Sequence, residues 1–264
     1  MPEVLPNVSS WFLRPSQRPW ARTRLFCFPR AGAGASSFRN WAEDCHPHLE
    51  AILIQPPGRE TRLAEAPLRS MDSLVAAIAD ALADFLDRPF AFYGHSLGAK
   101  AAFETARELR RRRLPAPAHL YAAACPGPSL PWHHPPLRAL PDTELLSELQ
   151  KLYGGVPREV AADPDLRALL VPALRADLTI VETYRYNDEE PLAIPVTCFC
   201  GSDDHMTPES DVLAWRCHSS AAFRLRTFPG DHFFPAAARK PILELIASDL
   251  SPGSGGSQLP ANPS

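Results

Sequence analysis

Residues 90–100 read Phe-Ala-Phe-Tyr-Gly-His-Ser-Leu-Gly-Ala-Lys, and a helical pattern follows with Phe103, Ala106 and Leu109 on one face. A strand thus runs through a tight turn straight into a helix. Its apolar run shows no polar alternation, as expected of a parallel strand covered on both faces. The same kind of run recurs at Thr23–Phe28, Ala51–Gln55, His119–Ala124, Val196–Cys200 and Phe223–Phe228. Helical patterns fall between and after them, at Met71–Leu86, Leu97–Arg113, Asp142–Leu152, Asp163–Tyr186 (broken near Pro172), Pro208–Cys217 and Pro235–Ser248. Strands alternating with helices predict a doubly wound, mostly parallel α/β sheet. From about Pro126 to Tyr186 the alternation fails, with helices and no strand. A helical insertion over residues 126–186 is expected to cover the carboxyl edge of the sheet, where open α/β sheets bind ligands.

Composition sets the outer limits. Six cysteines in 264 residues are few and lack paired metal-type spacing, and Cys198 and Cys200 suit one face of a strand better than a ligand pair. The net charge of −3 argues against a nucleic-acid partner. Uninterrupted apolar runs fall short of a membrane span, and the first residues lack the apolar core of a signal peptide. A cytoplasmic protein without a membrane partner is expected. The 30 prolines crowd the segment from Pro115 to Pro141 and the chain end. Residues 251–264 have almost nothing to bury and are expected to be disordered. Residues 1–20, with Trp11, Phe12 and Trp20, are expected to form an extended arm on a single domain spanning residues 21–250.

The chemistry centres on Gly94-x-Ser96-x-Gly98. Glycines on both sides allow strand and helix backbones to approach closely, and the serine then sits at a helix N-terminus, beside unpaired N–H groups. A serine hydroxyl needs a base held in the correct tautomer by a third group. In this setting the acid and then the histidine follow the serine along the chain. His232, in Pro229-Gly-Asp-His-Phe-Phe234, lies after the last strand and before the last helix, and becomes the candidate base. His95 is expected to point to the opposite side of the turn, and His218 to be a solvated or charge-complementing residue near a helix end. For the acid, Asp203 and Asp204 follow the strand ending near Cys200. Asp204 is preferred because it projects across the loop begun by Gly201, and Asp203 is assigned to the turn itself. The backbone N–H groups of Leu97 and Ala31 are the candidate oxyanion donors, the latter in the small-residue loop Pro29-Arg-Ala-Gly-Ala-Gly34. That loop lacks the third glycine of a dinucleotide fingerprint, and neither a cofactor nor a metal is expected.

These residues resemble the type II, stand-alone thioesterases of polyketide and non-ribosomal peptide synthesis and the related fatty-acyl carrier-protein thioesterase. The likeness is carried by Cys27-Phe-Pro-Arg-Ala-Gly-Ala-Gly34, Gln55-Pro-Pro-Gly-Arg-Glu60, Phe92-Tyr-Gly-His-Ser-Leu-Gly-Ala99, Leu174-Arg-Ala-Asp177 and Pro229-Gly-Asp-His-Phe-Phe234. It implies an α/β-hydrolase fold with a helical lid, and a triad falling on Ser96, Asp204 and His232. It further implies a monomer that hydrolyses acyl groups from the phosphopantetheine thiol of an acyl or peptidyl carrier protein. A small-molecule carboxylesterase or lipase, and a non-catalytic module binding carrier proteins, are the competing readings. Arg59 and Glu60 could pair near the site, and Arg110 to Arg113 form either a solvated face or a carrier-docking patch. Three positions depart from the pattern. Arg30 stands where an aromatic residue or His is commoner, and His205 where Pro is frequent. Lys100 stands where a small or apolar residue is expected, so it either faces solvent or alters the pocket.

Overall fold

A computed structural model describes residues 10–132, 135–156 and 158–251. Along the chain come β1 (Phe12–Leu13), β2 (Thr23–Phe28), α1 (Arg39–Asp44), β3 (Leu49–Ile54), α2 (Met71–Leu82), β4 (Phe90–His95), α3 (Leu97–Arg111) and β5 (Leu120–Ala123). They are followed by α4 (Asp142–Leu152), α5 (Arg158–Ala162), α6 (Pro164–Thr183), β6 (Val196–Gly201), α7 (Glu209–Leu213), β7 (Phe223–Phe228), α8 (Phe234–Ala237) and α9 (Arg239–Asp249). The strands form one seven-stranded sheet in the order β1-β3-β2-β4-β5-β6-β7. All pairings are parallel except that of β1 with β3, where Phe12 faces Ile54 and Leu13 faces Leu53.

The uninterrupted apolar runs are explained by burial on both faces. Phe26, Phe28, Phe90 and Phe92 pack on one side with residues of α2 and α3. Leu25, Cys27, Ala91 and Tyr93 pack on the other with residues of α1 and α9. β7, at the sheet edge, alternates with Arg224 and Arg226 and is only half-buried. From β2 the chain winds outward to β3 and then returns across it to β4. The strand order therefore reverses between β2 and β4, and ligands of open α/β sheets bind at such a crevice. The loop after β2 and the turn after β4 both open there.

Several boundaries differ from the sequence expectation. β1 escapes a periodicity reading because two residues are too short to show one. Beside it, Arg14 pairs with the fully buried Glu50 at 2.6 Å, so residues 10–20 are held along the sheet edge by charge as well as by Phe12. Trp20 is 70% exposed. The expected break at Pro172 is absent: α6 is continuous from Pro164 to Thr183. A proline removes one N–H from the helix ladder, and here the flanking Val171, Ala173 and Ala176 are buried, so packing holds the helix together. The expectation for the tail falls on residues 252–264, outside the described residues, as do residues 1–9 of the arm.

The insertion also departs in how it packs. Its apolar faces were expected to rest on the sheet edge. Instead Leu137, Leu145, Leu146, Leu149, Val160, Val171 and Leu178 form a cluster of their own. Three helices and the loop before them supply enough apolar surface to close a small separate core, and a cavity is left between that core and the sheet. Among the described residues, no helix is long and apolar enough to cross a membrane.

Candidate active site

At the end of β4 the chain reverses into α3 through Ser96, whose backbone lies at φ 55° and ψ −119°. A non-glycine residue in that conformation is strained, and strain of this kind persists only where the surroundings impose it. They do so here. A Cβ at Gly94 would meet the Gly98 carbonyl oxygen at 2.4 Å, and one at Gly98 would meet the Phe28 carbonyl oxygen at 2.2 Å. Both glycines are therefore required by backbone approach, and the Ser96 N–H is held by the Ala123 carbonyl at 2.8 Å. The side chain of Ser96 lines a cavity of about 320 Å³ together with Ala31, Leu97 and His232. Leu97 is the first residue of α3, where the backbone N–H has no intrahelical partner.

The candidate acid and base meet on the neighbouring loops. His232 Nδ1–H donates to Asp204 Oδ2 at 2.8 Å. The other carboxylate oxygen of Asp204 accepts from the N–H groups of Met206 and Thr207, each at 3.1 Å. Three donors thus fix an acid that is 4% exposed, and they leave the Nε2 atom of His232 free of that interaction. Asp203 is exposed and takes a hydrogen bond from the Ser202 hydroxyl instead. No hydrogen bond joins the Ser96 hydroxyl to His232 among the described residues; such contacts often tighten only when substrate is bound.

Two histidines sit differently from expectation. His95 does not point away. Its Nε2–H donates to the His232 carbonyl at 2.9 Å, and the two rings stand 5.5 Å apart. Burial, with His232 and Arg30 close by, holds the His95 imidazole well below its usual range, so it serves as a neutral donor that fixes the His232 backbone. His218 is buried rather than solvated, packed by Phe103, Tyr186 and Trp215 and bonded to Ser129 at 3.1 Å.

Arg59 does not pair with Glu60. On the extended backbone of Arg59 adjacent side chains diverge, and Arg59 instead grips Asp177 of α6, with Nη2 to Oδ1 at 2.9 Å. Glu60 accepts from the Ser36 hydroxyl at 2.6 Å. Asp177 Oδ2 also accepts the Gly32 N–H at 2.8 Å, so one carboxylate ties α6 to the loop carrying Ala31. Arg110, Arg111 and Arg112 are engaged by Glu189, Glu108 and Asp80, which binds that patch into local ion pairs. Among the described residues, no group of three His, Cys, Asp or Glu is placed to hold a metal.

The geometry can be set beside known proteins. A family model for the thioesterase domain matches residues 23–250. The chain belongs to the thioesterase family. It is 35% identical over 92% of its length to the gramicidin S biosynthesis protein GrsT of Aneurinibacillus migulanus, covering 95% of that protein. It is also 35% identical to the human medium-chain S-acyl fatty acid synthase thioesterase, with 83% of each chain covered. Among solved structures it is similar to RedJ, the thioesterase of the prodiginine pathway in Streptomyces coelicolor. The TM-score is 0.82 and the identity 34%, over 89% of this chain and 88% of that one. The fold of this thioesterase is thus that of its α/β-hydrolase relatives.

One wall residue that sequence reading missed lies just after α4 in the insertion. Tyr153, at the end of α4, sets its ring 4.8 Å from that of His232 and lines the cavity. Burial, together with the nearby Asp204 charge, pushes its phenol up, so Tyr153 remains a neutral wall. Leu146, Leu149, Leu170, Leu174 and Leu178 complete the apolar side. These leucines belong to the apolar helical faces of the insertion, which their spacing leads one to expect above Ser96 as the lining of an acyl pocket.

Proposed function

We propose that this thioesterase uses Ser96, His232 and Asp204 to hydrolyse acyl groups from the phosphopantetheine thiol of carrier proteins, as an editing or release enzyme of polyketide, non-ribosomal peptide or fatty-acid synthesis. The observation that carries the reading is the His232–Asp204 pair, which opens with the strained Ser96 into one cavity walled by apolar residues of the insertion. In this reading His232 Nε2 takes the Ser96 proton as Oγ attacks the thioester carbonyl. The Leu97 and Ala31 N–H groups hold the oxyanion, and Asp204 steadies the imidazolium. The thiol departs, and water, activated by the same imidazole, then releases the acid. A thiolate with a pKa near ~8.5 needs less protonation on leaving than an alkoxide, which favours thioesters over oxygen esters.

Residues 126–186 act as a lid in this scheme, placing leucines over the serine. GrsT, named for gramicidin S biosynthesis, and RedJ, named for the prodiginine biosynthetic pathway, support a role in such synthesis. Action as a monomer is part of this reading. The six free cysteines support a reducing, cytoplasmic setting. The test is hydrolysis of a panel of acyl-loaded carrier proteins against the matching free pantetheine thioesters and oxygen esters. The reading predicts faster turnover of the carrier-bound thioesters, and equal or better rates on oxygen esters would replace it with a small-molecule esterase.

A further inference from the structure

The cavity over Ser96 is apolar on its insertion side, yet its α3 wall carries a cation. Lys100 lies one helical turn beyond Ser96, about 6 Å along the axis, and lines the same cavity. It does not face solvent, being 6% exposed, and its ammonium stands 5.2 Å from the centroid of the Tyr184 ring. The carboxylate one turn further along α3 is engaged through its Oε1 atom. Glu104 is held by Arg107 at 2.8 Å and by the Tyr184 hydroxyl at 2.6 Å. Among the described residues Lys100 has no ion-pair partner. Arg30, another wall residue, rests its guanidinium 4.9 Å from the Phe233 ring centroid and likewise has none. Against these two cations the lining sets one carboxylate, Asp211, which takes a hydrogen bond from Ser210.

A buried ammonium without a counter-ion carries a large desolvation cost, and a bound anion offsets it. We propose that Lys100 determines specificity by pairing with a carboxylate at the far end of a short acyl group, so that the acyl units favoured are half-thioesters of dicarboxylic acids. The proposal rests on the thioesterase reading above and names the acyl class for that site. Placed one turn from the nucleophile, the ammonium is in reach of a carboxylate a few atoms beyond the thioester carbonyl. A matched neutral acyl group would leave it unpaired.

The experiment compares kcat/KM for succinyl-pantetheine with that for its terminal amide, a neutral group of the same size, using butyryl-pantetheine as the apolar control. A charge-assisted contact predicts that the wild-type protein prefers succinyl over the amide by roughly tenfold or more. Lys100→Met should bring that ratio to about one, and Lys100→Arg should keep much of it. A wild-type ratio at or below one, or a ratio unchanged in Lys100→Met, overturns the proposal. If Lys100→Met does not fold, the wild-type ratio and Lys100→Arg decide. Hydrolysis of butyryl-pantetheine without a succinyl preference overturns the Lys100 assignment alone, whereas no turnover of any acyl thioester, carrier-bound ones included, overturns both it and the thioesterase reading.

Discussion

The two walls of the cavity are built on different principles. On the sheet side, position is set by backbone: Ser96 is forced to φ 55° by strand and helix backbones that admit only glycine at 94 and 98. Asp204 is fixed there by two backbone N–H groups and His232. On the insertion side, position is set by side-chain volume, through a small cluster of Leu and Val residues. Backbone-fixed groups tolerate no displacement, and chemistry requires them to be right to within a fraction of an ångström. Volume-fixed walls can be reshaped at modest cost. A change on the sheet wall should therefore alter the rate on every substrate, and a change on the insertion wall should alter which substrates fit.

The largest expected effect is at the proposed nucleophile. Ser96→Ala should lower kcat by on the order of 10⁴–10⁶ for short and long acyl thioesters alike, with the melting temperature close to that of the wild type. Retention of more than a few per cent of activity would remove Ser96 from the mechanism. Next comes Asp204→Asn, which should cost about 10⁴ in kcat by favouring the wrong tautomer of His232. Asp203→Asn, at an exposed turn, should change kcat by much less. If the two ranked in reverse order under steady-state kinetics, the orienting acid would move to Asp203 despite its exposure.

The same contrast explains what could be read before the fold was known. Backbone-imposed features leave a trace in sequence, because only glycine fits where chains nearly touch, and Gly94-x-Ser96-x-Gly98 and Gly201 are such traces. The sheet was legible for a related reason: strands buried on both faces must be apolar throughout, as at Phe90–His95. Side-chain-imposed features leave weaker traces. The leucines of α4 and α6 repeat at helical spacing whether they face the cavity or each other, so their partners were not legible, and the separate cluster was not foreseen. Charge pairing was hardest to read. Asp177 lies 118 residues from Arg59, and proximity in sequence suggested Glu60 instead. His95 was misjudged because its partner is a backbone carbonyl, which any residue would supply.

Where the two walls are joined, the comparison can be sharpened by energy. Asp177 and Arg59 are both nearly buried, each side chain 6% exposed, and they connect α6 to the loop after β2. Asp177→Leu leaves the guanidinium and the Gly32 N–H without their partner, and should destabilise the protein by about 3–5 kcal/mol. The double variant Arg59→Met/Asp177→Leu should recover much of that loss, because it removes the unpaired charge. Urea denaturation of the two single variants and the double variant measures the coupling. Equal stability of Asp177→Leu and wild type would show that the bridge does not hold the walls together.

The smallest expected effect concerns the insertion wall alone. Leu149 is 8% exposed, lines the cavity and belongs to the insertion's own cluster. Leu169, 44% exposed, is absent from the cavity lining and serves as a control for surface bulk. Trp at position 149 adds volume where the acyl chain is proposed to lie, and overpacking of this kind costs about 1–3 kcal/mol when the wall must shift. A short propionyl group should still reach Ser96, since the proposed triad is held by the opposite wall. A dodecanoyl group needs the filled space, so Leu149→Trp should lower the ratio of dodecanoyl to propionyl kcat/KM by roughly tenfold, an energy within that range. Leu169→Trp should leave the ratio unchanged. If a folded Leu149→Trp slowed both substrates equally, the insertion would be coupled to the chemistry itself, and the division between a rate-setting wall and a shape-setting wall would fail.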